Sequence, residues 1–152
     1  MLTLLLALLP ILNTQVPAEQ AIISVLDDFH DAASKADGPR YFGHFAEGGI
    51  FIGTDPEERW TVAAFKAYAE PHFSKGKGWT YTPKERHVHL GPDGKTAWFY
   101  ERLHNAKYGE ARGSGVLVIE SGHWRIAQYV LSFPIPNEAT PAVMKAIQGP
   151  GQ

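Results

Sequence analysis

Thr96-Ala97-Trp98-Phe99-Tyr100-Glu101-Arg102-Leu103-His104 and, five residues on, Glu110-Ala111-Arg112-Gly113-Ser114-Gly115-Val116-Leu117-Val118-Ile119-Glu120 are runs rich in aromatic and β-branched residues. With Asn105 to Gly109 between them, they predict an antiparallel hairpin. The flanking sequence has the same character. Trp79 to Leu90 precedes them across Gly91-Pro92-Asp93-Gly94, and His123 to Phe133 follows across Ser121-Gly122. Four such runs joined by turn residues predict an antiparallel meander.

Toward the N-terminus the period changes. From Glu19 to Ala36, the apolar residues Ile22, Ile23, Val25, Leu26, Phe29, Ala32 and Ala33 recur at helical spacing, with Asp27, Asp28, Asp31, Ser34 and Lys35 opposite. This is an amphipathic helix. Asp37-Gly38-Pro39 stops it, and Arg40 to Ala46, carrying Tyr41, Phe42 and Phe45, predicts a short second helix ended by Gly48-Gly49. Ile50 to Ile52 follows as a short strand and Gly53 to Glu58 as a loop. Thr61 then caps a third helix running to about Phe73, with Phe65 and Tyr68 turned inward. Three helices followed by a meander predict an α+β domain, its N-terminal helices packed on a curved, mainly antiparallel sheet.

The 152 residues suit one domain. Fourteen Lys and Arg against sixteen Asp and Glu give a net charge of -2, and the basic residues are scattered, so the footprint of a nucleic-acid partner is missing. There is no cysteine, which excludes disulfides, thiol nucleophiles and thiolate metal sites. Leu2 to Leu12 is an apolar run too short for a membrane span but suited to the core of a secretory signal. Val16-Pro17-Ala18 fits a cleavage site after Ala18, although no Lys or Arg precedes the run. The expected organisation is a signal peptide over 1–18, a domain over 19–137 and a Pro- and Gly-containing tail over 138–152 with one short helix near Ala142 to Ile147. Its expected location is periplasmic or secreted, with no membrane attachment of the mature form; the alternative is a cytoplasmic protein whose apolar N-terminal segment docks on the domain.

Five segments resemble a bacterial SnoaL-like branch of the nuclear transport factor 2-like superfamily: Phe29 to Ala33, Gly53 to Trp60, Ala97 to Glu101, Arg112 to Leu117 and Trp124 to Tyr129. The likeness covers about Glu19 to Asn137. It implies a cone-shaped fold shared with ketosteroid isomerase and polyketide cyclases. That fold hosts both enzymes and non-catalytic binding modules, so it does not name a reaction. The isomerase pattern of a placed Asp base with a Tyr/Asp oxyanion pair is not found here.

Pairing the hairpins about their turns sets Arg86 diagonal to Glu101, Glu101 near Gly113, Phe99 near Gly115 and Gly115 near Tyr129, all on one face. Glycines opposite large residues either leave a pocket floor or are filled by Phe99 and Tyr129. His30, one turn after Leu26, points toward the same face. Over Glu101 it is either a general base near neutral pH or a hydrogen-bonded core histidine. Arg86 and Glu101 form a buried pair or orient a polar ligand group, and Trp60 roofs the cavity. The opposite face carries Trp98, Arg112, Val116, Ile126, Gln128 and Val130, and in this fold a homodimer is the natural cover. His87 and His89 share a strand face without a third ligand of recognisable spacing, so no metal is expected.

Two functions remain open. The favoured one is an exported domain that binds a small hydrophobic molecule without cofactor, with Tyr41, Trp60, Arg86, Phe99, Glu101 and Tyr129 as candidate contacts. The alternative is a cofactor-free isomerase, cyclase or hydrolase using His30 and Glu101 as an acid-base pair on a hydrophobic carbonyl substrate.

Overall fold

The computed structural model describes residues 16–149, so the apolar run Leu2 to Leu12 and its reading as an export signal lie outside the described residues. Helix α1 spans Ala18–Ser34 and buries Ile22, Leu26, Phe29, His30, Ala32 and Ala33. Helix α2 is Gly38–Gly43, with the Asp37 side chain accepting from the Arg40 N–H at 3.2 Å. Arg40 and His44 both bond Asp28, at 3.0 and 2.7 Å, and so tie α2 to α1. Strand β1 runs Phe45–Ile52, β2 Arg59–Thr61, and helix α3 Val62–Phe73 with Thr61 capping it through Ala64 N–H. Strands β3 (Thr82–Leu90), β4 (Thr96–Asn105), β5 (Gly109–Glu120) and β6 (His123–Ser132) complete the sheet, and α4 covers Thr140–Gln148.

The sheet order is β2-β1-β6-β5-β4-β3, with the meander antiparallel and β1 joined to β6 in parallel. The α+β expectation holds. Helices α1 to α3 cover one face, where Leu26, Phe29 and Ala33 pack in one cluster with Phe65, Phe99, Leu117, Ile126 and Tyr129. At the turn between β5 and β6, Ser121 and Gly122 both have positive φ (50° and 80°), the conformation that a tight hairpin requires.

Two local expectations change. The second helix ends at Gly43 instead of continuing to Ala46, because Phe45 already pairs with Ile126 in the sheet. Gly48, at φ 71°, then sits where the β1 register shifts, so Gly48-Gly49 is an irregularity within a strand and not a helix stop. The second change is in β6, where Val116 pairs with Gln128 but Leu117 pairs with Ile126. Ala127 is the extra residue. It turns Ile126 inward, fully buried, whereas uninterrupted alternation had placed it on the outer face.

Candidate functional site

Alternation along β4 sends Phe99, Glu101 and Leu103 into the core, and the register sets Arg86 directly opposite Glu101 with Gly113 on its other side. β6 contributes Tyr129, and α1 lowers His30 onto the group one residue after Phe29. Glu101 Oε1 accepts from His30 Nε2 at 2.7 Å and from the Tyr129 hydroxyl at 2.8 Å. Oε2 accepts from Arg86 Nε at 2.8 Å. Arg86 Nη2 lies at the same distance from Oε2 but off the hydrogen-bond line, and is left without a partner among the described residues. Arg86 Nη1 reaches outward to Asp27 at 2.6 Å.

The Glu101 side chain is 0% exposed. Burial pushes its carboxyl up, but hydrogen bonding and charge from His30 and Arg86 outweigh that and hold it below the usual carboxylate range. An ionised carboxylate only accepts, which assigns the bridging proton to His30 Nε2. Burial, then the charge of Glu101, drives the Tyr129 phenol well above its usual value, so Tyr129 remains a donor. This is a fully occupied buried anion with two neutral-capable donors and one permanent cation.

A separate space lies toward the β1–α3 side of the sheet. It is a cleft of about 490 Å³, walled by Trp60, Tyr68, Trp79, Tyr81, Tyr108 and Phe133, floored by Phe51, Phe65 and Leu131, and flanked by Gly53, Thr54 and Glu58. Trp60 is set there by pairing with Phe51 across β1 and β2, and its ring stacks on Tyr68 with centroids 5.2 Å apart. Adjoining the cleft, and sharing Phe51, Trp79, Tyr81 and Leu131 as lining, is a second space of only about 20 Å³, otherwise bounded by Phe29, His30, Ala33, Tyr41 and Tyr129. That holds about one water.

The expected contacts therefore divide. Trp60 lines the cleft. Tyr41 and Tyr129 line the small inner space, Tyr41 being buried and stacked on Phe29 at 4.5 Å. Arg86, Phe99 and Glu101 line neither. The glycine gaps on β5 are filled: a Cβ at Gly115 would sit 2.9 Å from Phe99 and overlap the Gln128 carbonyl, and one at Gly113 would sit 2.7 Å from Glu101 Oε1. The floor over the sheet is thus a packed polar core. Tyr68, expected to turn inward with Phe65, is 47% exposed at the cleft. The cleft residues missed in the sequence were Trp79, Tyr81, Tyr108 and Phe133; aromatics bunched after Gly78 and one inside the Asn105 to Gly109 turn were the available cue. On the outer face, Trp98 stacks with His89 and Tyr100 with His87, and no group of three or more metal-ligating side chains occurs among the described residues.

Residues 22–136 match the SnoaL-like domain, and the chain belongs to that family. Its fold is the nuclear transport factor 2-like one. An NTF2-like protein of unknown function from Pseudomonas putida is similar at TM-score 0.66 and 17% identity, over 80% of this chain and 90% of that one. A domain of unknown function with a cystatin-like fold from Nostoc punctiforme gives TM-score 0.66 and 15% identity over 86% of each chain. A putative scytalone dehydratase from Novosphingobium aromaticivorans gives TM-score 0.62 and 13% identity, over 77% and 84%. At these identities the likeness concerns the fold. Among curated proteins, none matches the sequence.

Proposed function

We propose that this protein binds a small, predominantly apolar molecule in the aromatic cleft without transforming it. The observation that carries this reading is that neither His30 nor Glu101 lines the larger cleft. Glu101 has no exposed surface and spends both oxygens on His30, Tyr129 and Arg86, while His30 faces a space of about 20 Å³. A general base must come within hydrogen-bond reach of the proton it removes, and His30 does not line the larger cleft; it lines the adjoining space of about 20 Å³, which shares Phe51, Trp79, Tyr81 and Leu131 with the cleft and is too small for a substrate. The cleft itself, at about 490 Å³ and mostly aromatic, falls within the size range of small-molecule sites.

A second reading is a cofactor-free isomerase, cyclase or hydrolase with His30 as base. It is favoured by one feature, the 2.7 Å bond that orients the imidazole from a buried carboxylate. The test is to purify the protein from its native host, release and identify the bound small molecule by mass spectrometry, and compare wild type with His30→Gln. Binding without turnover in both proteins supports the first function. Conversion by wild type and not by His30→Gln overturns it.

Two further properties belong to the proposal. Export with cleavage after Ala18 predicts an intact mass starting at Glu19, the second residue of α1, and a species retaining Met1 would refute it. A homodimer through the outer sheet face is supported by Trp98 and Tyr100, 48% and 46% exposed there.

A further inference from the structure

We propose that the ligand of the cleft is an organic cation, an alkyl- or arylammonium seated against the aromatic walls with Glu58 as its counter-charge. The inference rests on the cleft being a ligand site and adds the chemical class.

Aromatic faces carry negative quadrupole density, and several rings facing one space form the usual receptor for a quaternary ammonium group. Trp60, Tyr68, Trp79, Tyr81 and Tyr108 line the cleft from different segments of the chain; Trp60 and Tyr68 stack on one another and Trp79 packs on Phe73, which takes one face of each and leaves the other for a guest. Charge decides between a cation and a neutral guest. Among the described residues lining the cleft, Glu58 is the one ionised side chain, and neither Lys nor Arg is present. An apolar neutral guest would cover a carboxylate without compensating it, whereas a cation offsets the desolvation.

Glu58 is also held in place. Its backbone carbonyl accepts from Gly53 N–H at 2.8 Å, and its Oε2 accepts from Asp55 N–H at 3.2 Å. The carboxylate lies directly over Gly53, where a Cβ would overlap it, so the absence of a side chain at that position lets it fold against the cleft wall. Oε1 has no hydrogen-bond partner among the described residues. Burial raises the phenol of Tyr81, which lines the same cleft, and Tyr108 and the charge of Glu58 add to that effect. Lys107 Nζ lies 4.7 Å from the Tyr108 ring centroid and so occupies one face of that ring, leaving Trp60, Tyr68, Trp79 and Tyr81, among the described residues, as the rings free of a cation.

The test uses three probes of one shape: choline, its neutral isostere 3,3-dimethylbutan-1-ol, and the anion 3,3-dimethylbutanoate. Each is titrated into the full chain while NMR follows the Trp60 and Trp79 indole N–H signals and the Gly53 amide. Choline is expected to bind at least about tenfold more tightly than the alcohol, with the anion weakest. Glu58→Gln, which keeps an oxygen for the Asp55 N–H, is expected to bring choline to the alcohol's affinity and leave the alcohol unchanged. Trp60→Leu should reduce choline's advantage while the other signals show the fold intact. If the alcohol or the anion binds as tightly as choline, the cation inference is overturned and the cleft remains a binding site. If none of the three shifts the cleft signals, the binding function falls with it.

Discussion

Glu101→Gln is the most direct probe of the buried network, because it keeps the side chain's size and removes its charge. The carboxylate answers three donors with two accepting oxygens: His30 Nε2 and Tyr129 Oη on Oε1, and Arg86 on Oε2. An amide offers one oxygen and turns an NH₂ group toward the other side. With the oxygen kept on Arg86, Tyr129 can rotate its hydroxyl to accept, but His30 must change tautomer, and the guanidinium retains only Asp27 as a full counter-charge. Removing one partner of a buried pair costs ~3 to 5 kcal/mol, and the remaining acceptor and Asp27 reduce this to about 2 to 4 kcal/mol. For a domain of this length that lowers the melting temperature by roughly 4 to 16 °C. The pH dependence has a definite sign. Glu101 titrates below its ordinary 4.5 in the folded state, so its contribution is complete above that value and is lost as the pH falls through the folded value. Thermal melts of both proteins from pH 8 to pH 3 should therefore show a constant gap down to about pH 5.5 that narrows in acid. An unchanged melting temperature at pH 7, or a gap that widens in acid, would refute the network as described.

Three other outcomes are expected. Tyr129→Phe removes one donor from Glu101 Oε1 and should cost about 1 to 2 kcal/mol in a denaturant titration, with the slope unaltered. Gly115→Ala drives a methyl into Phe99 and the Gln128 carbonyl and should cost at least ~1 to 3 kcal/mol. Ser114→Ala, one residue away on the other face, should stay within about 0.5 kcal/mol, and equal losses for the two would mean that the close approach at Gly115 is wrong. Val116→Arg, placed on the outer face opposite Trp98, should convert a dimer into a monomer by light scattering. Wild type already monomeric at micromolar concentration would remove the proposed dimer.

The meander was legible because each of its signals is local. Period-two alternation fixes which side of β4 is buried, and the turns fix the register, so Glu101 opposite Gly113 and Phe99 opposite Gly115 are legible in the sequence itself. Arg86 came out directly opposite Glu101 and not diagonal to it, since the β3 irregularity falls earlier, between Pro83 and Glu85. What failed was what depends on inserted residues. Ala127 adds one residue to β6 and reverses the facing of everything on its N-terminal side, and nothing in Ile126-Ala127-Gln128 marks a bulge, because its cause is the pairing of distant strands. β2 is three residues long and exists through its pairing with β1, below the length at which alternation carries information.

The site divides along the same line. His30 and Glu101 could be brought together from periodicity, since each belongs to a long regular element whose inward face is set by its own sequence. The cleft could not. Trp60 sits on a three-residue strand, Trp79 and Tyr81 on the irregular approach to β3, Tyr108 in a hairpin turn and Phe133 just beyond β6, so no period relates them. Their common location comes from closure of the sheet's open end, where β1 and β2 are paired beyond β6 and bring the Gly53 to Glu58 loop toward the β4–β5 turn. Regular elements build a buried anion that holds the sheet and α1 together, and the irregular ends build the opening. Loops carry ligand contacts on a rigid scaffold because they can vary without disturbing the ladder beneath them. In this chain the scaffold includes its own charged centre, whose His30 and Glu101 do not line the cleft, and the proposed specificity of that cleft rests on Glu58 and the rings contributed by the irregular segments.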